Sequence, residues 1–135
     1  MIFVGDVAIA PGDKFRHEGF PDYFSDTPIC LNLEGAISLD NSIPKRGIIN
    51  SSIWKESFRG LKIGPVFIGN NHIQDVPNGI RQTKIFLQQQ GLEAFGAGVT
   101  QADSESPVGD HSFKLLGFGW SVIGCISSDT RRCGV

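Results

Sequence analysis

Residues 66–98 read VFIGNNHIQDVPNGIRQTKIFLQQQGLEAFGAG, and this stretch decides the fold. Val66–Gly69 is a short apolar run closed by a glycine, the pattern of a buried strand. It breaks into Asn70-Asn71-His72, and Asp75-Val-Pro77 then carries a helix start signal. The spacing predicts a helix over 78–90, with Ile80, Thr83, Lys84 and Leu87 at i, i+3, i+4 and i+7. Gly91 falls where a left-handed C-terminal cap is wanted. A brief strand over 93–95 and a tight turn at Gly96-Ala97-Gly98 follow.

Outward from this unit the pattern repeats. An apolar run over 1–4 ends in Gly5-Asp6, and a second over 27–33 ends in Asn32, Glu34 and Gly35. Three runs thus close on acid, amide or imidazole side chains. In an open α/β sheet the C-terminal ends of strands are where sites are assembled. Ile53, Trp54, Phe58 and Leu61 predict an amphipathic helix over 52–61. Two apolar runs, 113–116 and 120–126, predict one long bent strand or a hairpin broken near Gly117-Phe-Gly119. The order β, β, α, β, α, β, β fits α/β layering, without internal repeat or linker.

Composition excludes several classes. The chain has 135 residues, 19% charged and 40% hydrophobic, enough for one core and too apolar for intrinsic disorder. Twelve Lys+Arg against 14 Asp+Glu give a net charge of -2, without the basic footprint of a nucleic-acid binder. No apolar run approaches the roughly 20 residues of a membrane span, and no signal peptide is visible. Cys30, Cys125 and Cys133 have no CxxC spacing, so reduced structural thiols in a reducing compartment are expected. A phosphate loop, a complete dinucleotide fingerprint and a Gly-x-Ser-x-Gly elbow are all missing.

The polar residues at the run ends have two readings each. Asp6 is a metal ligand or a turn residue. Asn32 and Glu34, two apart, share a strand face and suit a hard cation such as Mg or Mn, or else line a wetted edge. In Asn70-Asn71-His72 an amide oxygen can ligate a metal and the imidazole can donate to developing negative charge. Asp75 can hold that imidazole in one tautomer. The same tripeptide is also good turn chemistry. His17 and His111 are weaker candidates.

Taken in order, these segments resemble the bacterial capsule-synthesis (CapA, or PGA_cap) family of the calcineurin-like metallophosphoesterase superfamily. The resemblance rests on Phe3-Val-Gly-Asp6, Cys30-Leu-Asn-Leu-Glu-Gly35 and, most densely, 67–107, with its Asn-Asn-His, the Asp three further on and the closing Gly-Ala-Gly. It implies a single partial domain over 1–135, the N-terminal half of an αββα sandwich, because the family's later histidine-rich motifs have no counterpart after His111. Asp6 would ligate a first metal, Glu34 would ligate or bridge, and Asn71 would hold a second. His72 would stabilise or protonate the leaving group, oriented by Asp75. The cofactors would be one or two divalent cations, Mn or another transition metal. The substrate would be a small molecule or polymer in capsule or poly-γ-glutamate production, with capsule-synthesis proteins as partners. The chain as written is expected in the cytoplasm, and the full-length protein at the cell surface. A non-catalytic α/β binding or assembly module is the alternative.

Overall fold

A parallel sheet is the arrangement that apolar runs such as ICLNL and IGPVF support, because both faces of their strands can be covered. The computed structural model describes residues 1–13, 20–38, 47–109, 112–119, 124–129, 131 and 133–135. In chain order the elements are β1 (Ile2–Val7), α1 (Tyr23–Asp26), β2 (Ile29–Leu33), β3 (Ala36–Ile37), β4 (Ile49–Asn50), a 3-10 turn (Trp54–Phe58), β5 (Ile63–Phe67), α2 (Gly79–Gln89), β6 (Ala94–Phe95) and α3 (Gln101–Ser104). Four strands form one sheet in the order β1-β2-β5-β6, and every neighbouring pair is parallel. A second, two-stranded sheet pairs β3 with β4, also parallel. The chain is therefore a mixed α/β structure, as the run order predicts.

The register positions the site. Asp6 lies beside Asn32, Asn32 beside Phe67, and Phe67 beside Phe95. All four strands thus end at one edge, and Asp6 and Asn32, in the last two residues of β1 and β2, lie side by side there. Leu31, Leu33, Val66, Ile68 and Ile73 form the buried centre. The α2 helix covers them with Ile80, Thr83, Phe86 and Leu87. Thr83 sits in this apolar stripe because its Oγ1 accepts from the Ile37 amide at 2.9 Å, satisfying a backbone donor that packing would otherwise strand. The helix ends as its sequence predicts. Gly91 has φ +72, its amide donates to Gln88 O, and the Leu92 amide donates to Leu87 O, the paired bonds of a Schellman cap.

Two predicted elements differ. The helix expected over 52–61 is a five-residue 3-10 turn. Trp54 and Phe58 still face the core with ring centroids 4.8 Å apart, but Arg59 turns to an extended conformation and Gly60 has φ +90, which ends the turn. The run 113–116 makes only an isolated bridge, Leu115 to Val108, and the residues around it that are described contain no strand. Gly117 there lies flat against the Phe67 ring, where a side chain would overlap it. Residues 120–123 of the second run lie outside the described residues. The short β3 and β4 strands were not predicted. Among the described residues no helix is long and apolar enough to cross a membrane.

Candidate functional site

The first strand delivers Asp6 through an irregularity. Phe3 pairs with Cys30 and Asp6 with Asn32, so three steps on β1 oppose two on β2. An extra residue of this kind twists the strand and re-aims the following side chain. Asp6, exposed at the edge, accepts from Asn32 Nδ2 at 2.7 Å. The same nitrogen donates to Glu34 Oε2, also at 2.7 Å. One amide therefore bridges two carboxylates, and two such legs place the oxygens no more than about 5.4 Å apart. The second oxygen of each carboxylate is not taken by Asn32.

The third strand end is built around Asn70, which is 7% exposed. Its Nδ2 donates to Leu33 O at 2.7 Å and to Asn32 Oδ1 at 3.1 Å. Its Oδ1 accepts from the Gly35 amide at 3.2 Å and the His72 amide at 3.1 Å. All its donors and acceptor positions are engaged, so Asn70 ties β2 to the segment after β5 and has nothing left for a ligand. Asn71, half-buried, makes no side-chain hydrogen bond among the described residues.

His72 and Asp75 form a pair. Nδ1 of His72 lies 2.7 Å from Asp75 Oδ2, which also accepts from the Ile48 amide at 2.9 Å. An ionised carboxylate only accepts, so Nδ1 carries the proton of this bond. The other ring nitrogen, Nε2, lies 4.0 Å from Glu34 Oε1. The ring is about one-third exposed and Glu34 largely enclosed, with side-chain exposures of 35% and 14%. One hydrogen-bonded chain thus runs Asp6–Asn32–Glu34, links through Asn70, and meets His72–Asp75 across the Nε2–Oε1 gap.

Of the residues singled out from sequence, Asp6, Glu34, His72 and Asp75 converge at this edge, with Asn71 directly beside them in the chain. His17 and His111 lie outside the described residues. Sequence reasoning named Asn70 only within its tripeptide, without this tying role, and missed Asn50. Asn50, 1% exposed, donates to Glu34 O at 2.8 Å, while its Oδ1 accepts from the Ile9 amide at 2.7 Å. It clamps the chain beyond β1 to the end of β2. An amide closing the apolar pair Ile48-Ile49 was the available signal, the same one read at the other strand ends.

Among the described residues no three His, Cys, Asp or Glu side chains form a cation cage by themselves. The donors that do converge are two carboxylates, each with a second oxygen, beside carboxamides, and this oxygen-rich set fits a hard divalent cation. A cleft of about 440 Å³ lies along the chain that reaches Asp75, lined by Ala8, Ala10, Pro11, Asp13, Gly47 and Ile48. A larger hollow of about 560 Å³, walled by Arg59, Lys62 and Gly91, sits at the opposite end of β5 and takes no part. Cys30 is also remote in role: burial pushes its thiol up, which makes it inert. No protein-family model matches the sequence.

Proposed function

We propose that this chain is a metal-dependent phosphoesterase-like protein of the calcineurin-like kind, related in function to the capsule-synthesis family its motifs resemble. What carries the reading is the convergence, at one sheet edge, of two carboxylates with an imidazole whose far side is held by a carboxylate. Asp6 and Glu34 would hold divalent metal, Mn or another transition metal, with Asn71 available to a second ion. Bound metal would supply Lewis-acid activation of water and of a phosphoryl oxygen. His72 would move a proton at Nε2, and Asp75 would keep Nδ1 protonated so that Nε2 faces the substrate. The substrate class would be a phosphoester within capsule or poly-γ-glutamate production, and the partners capsule-synthesis proteins. The wider αββα sandwich belongs to the same proposal.

Mn²⁺ binding followed by electron paramagnetic resonance tests the reading, alongside hydrolysis of bis-p-nitrophenyl phosphate. The expected result is a saturable site that Asp6→Asn with Glu34→Gln weakens at least about tenfold. His72→Ala is expected to keep the metal and lower turnover by about 10²–10⁴. Equal Mn²⁺ binding by wild type and the double variant would remove the metal site, and the non-catalytic module would then stand.

A further inference from the structure

Gly47 opens the segment that leads into β4, and its backbone has φ +86. A Cβ built there would overlap the carboxylate of Asp75, Oδ2 included. The next residue, Ile48, donates its amide to that same Oδ2 at 2.9 Å, and its carbonyl accepts from the Ala36 amide at 3.2 Å. Ile48 is therefore fixed on one side to the chain after β2 and on the other to the acid behind His72. Only a residue without a side chain lets the backbone approach the carboxylate this closely, and a positive φ favours glycine independently.

We propose that Gly47 is a positioning residue for His72. By admitting the Ile48 amide to Asp75 Oδ2, it holds the oxygen where it accepts from His72 Nδ1, and so fixes the imidazole in the Nδ1–H tautomer with Nε2 turned toward Glu34. The catalytic meaning of that tautomer rests on the phosphoesterase reading. The geometry itself does not. An L side chain at 47 would overlap Asp75 from Cβ to Oδ2, so the acid has to shift together with its own segment and the tautomer is released.

The test is nitrogen-15 NMR of the histidine-labelled chain at a single pH where the imidazole is neutral, with His72 assigned by comparison with His72→Ala. Wild type is expected to show the Nδ1–H tautomer. Gly47→Ala is expected to move His72 toward the Nε2–H form that free imidazole favours. Gly47→Asn tolerates the left-handed backbone better while still carrying the overlapping Cβ, so it should give the same shift with less loss of stability. A merely structural glycine would change stability and leave the tautomer alone. The proposal falls if wild type already shows Nε2–H, if a folded variant keeps the wild-type tautomer, or if neither variant folds. Failure of Mn²⁺ binding would overturn the phosphoesterase reading and leave the tautomer result standing.

Discussion

Asn70 and Asn71 are identical in chemistry and adjacent in sequence, yet the Asn70 side chain makes four hydrogen bonds and that of Asn71 makes none among the described residues. Replacing Asn70 by alanine removes four hydrogen bonds. Two of the abandoned partners, the Gly35 amide and the Leu33 carbonyl, belong to buried residues. Each buried polar group left unpaired costs roughly 1–3 kcal/mol. Water entering the vacated space recovers part of this. The expected loss is therefore about 2–4 kcal/mol, which lowers the melting temperature by roughly 10 °C in a chain of this size. Asn71→Ala removes no hydrogen bond among the described residues and should stay within about 0.5 kcal/mol of wild type.

Urea denaturation followed by circular dichroism measures both variants, with the slope checked for constancy so that midpoints compare directly. Mn²⁺ affinity measured on the same samples completes the contrast: Asn71→Ala should weaken it while leaving stability intact. If Asn70→Ala costs less than about 1 kcal/mol, or if Asn71→Ala costs as much as its neighbour, the division of labour drawn from the hydrogen bonds is wrong.

Three further outcomes follow from the packing. Gly35, with φ +86, lies against the Ile48 carbonyl, where a Cβ would overlap backbone; Gly35→Ala should destabilise by at least about 2 kcal/mol in the same urea assay. Thr83→Val preserves shape but strands the buried Ile37 amide, so a loss of about 1–3 kcal/mol with faster exchange of that amide is expected. Around Asp103, desolvation pushes the carboxyl up, but the Lys84 ammonium and the Val99 amide outweigh it and leave the group below its ordinary value. A depressed carboxyl stabilises the fold above its unfolded pKa, and that contribution is lost as pH falls through the folded one. The stability difference between wild type and Lys84→Met should thus be present at pH 6, amount to no more than about 1 kcal/mol, and shrink toward pH 3.

Much of this was legible because the signals were local. The α2 helix needs only its apolar stripe, its start and Gly91, all of which act within a few residues. The ends of β2 and β5 were legible because a short apolar run cut by Gly, Asp or Asn reads the same wherever it pairs, whereas β1 runs on to Val7, past the Gly5-Asp6 that closes its apolar run. The two-residue strands β3 and β4 were not, since Ala36 and Ile49 become strand only by finding each other across the fold. Nor could sequence say which of Asn70 and Asn71 turns inward. That depends on the tight reversal after β5, where the Ile73 amide donates to Asn70 O and the Asp75 amide to His72 O. Gly47 looked like any loop glycine. Its significance lies in a contact with Asp75, 28 positions away, that no local pattern encodes.

The edge that gathers these groups also sets a cost. Asp6 and Glu34 carry like charges whose Asn32-bound oxygens lie no more than about 5.4 Å apart, and the bridging Asn32 amide offsets their repulsion only as a dipole. Such an arrangement favours any cation placed against it, so the proposed site should reveal itself in stability before any substrate is known. Without metal, Asp6→Asn with Glu34→Gln should be at least as stable as wild type, because the amides keep oxygen acceptors for Asn32 while the repulsion disappears. With Mn²⁺ at 100 times the wild-type dissociation constant, wild type should gain about 2.7 kcal/mol, and the double variant, binding at least about tenfold more weakly, no more than about 1.4 kcal/mol. Thermal unfolding of both proteins, each with and without Mn²⁺, reads the two effects together. A double variant less stable than metal-free wild type would mean that the carboxylates serve the fold; a wild type that Mn²⁺ leaves unmoved would mean that they hold no metal. The expected crossing, with wild type the less stable protein without the ion and the more stable with it, is what a binding site bought at the expense of stability produces.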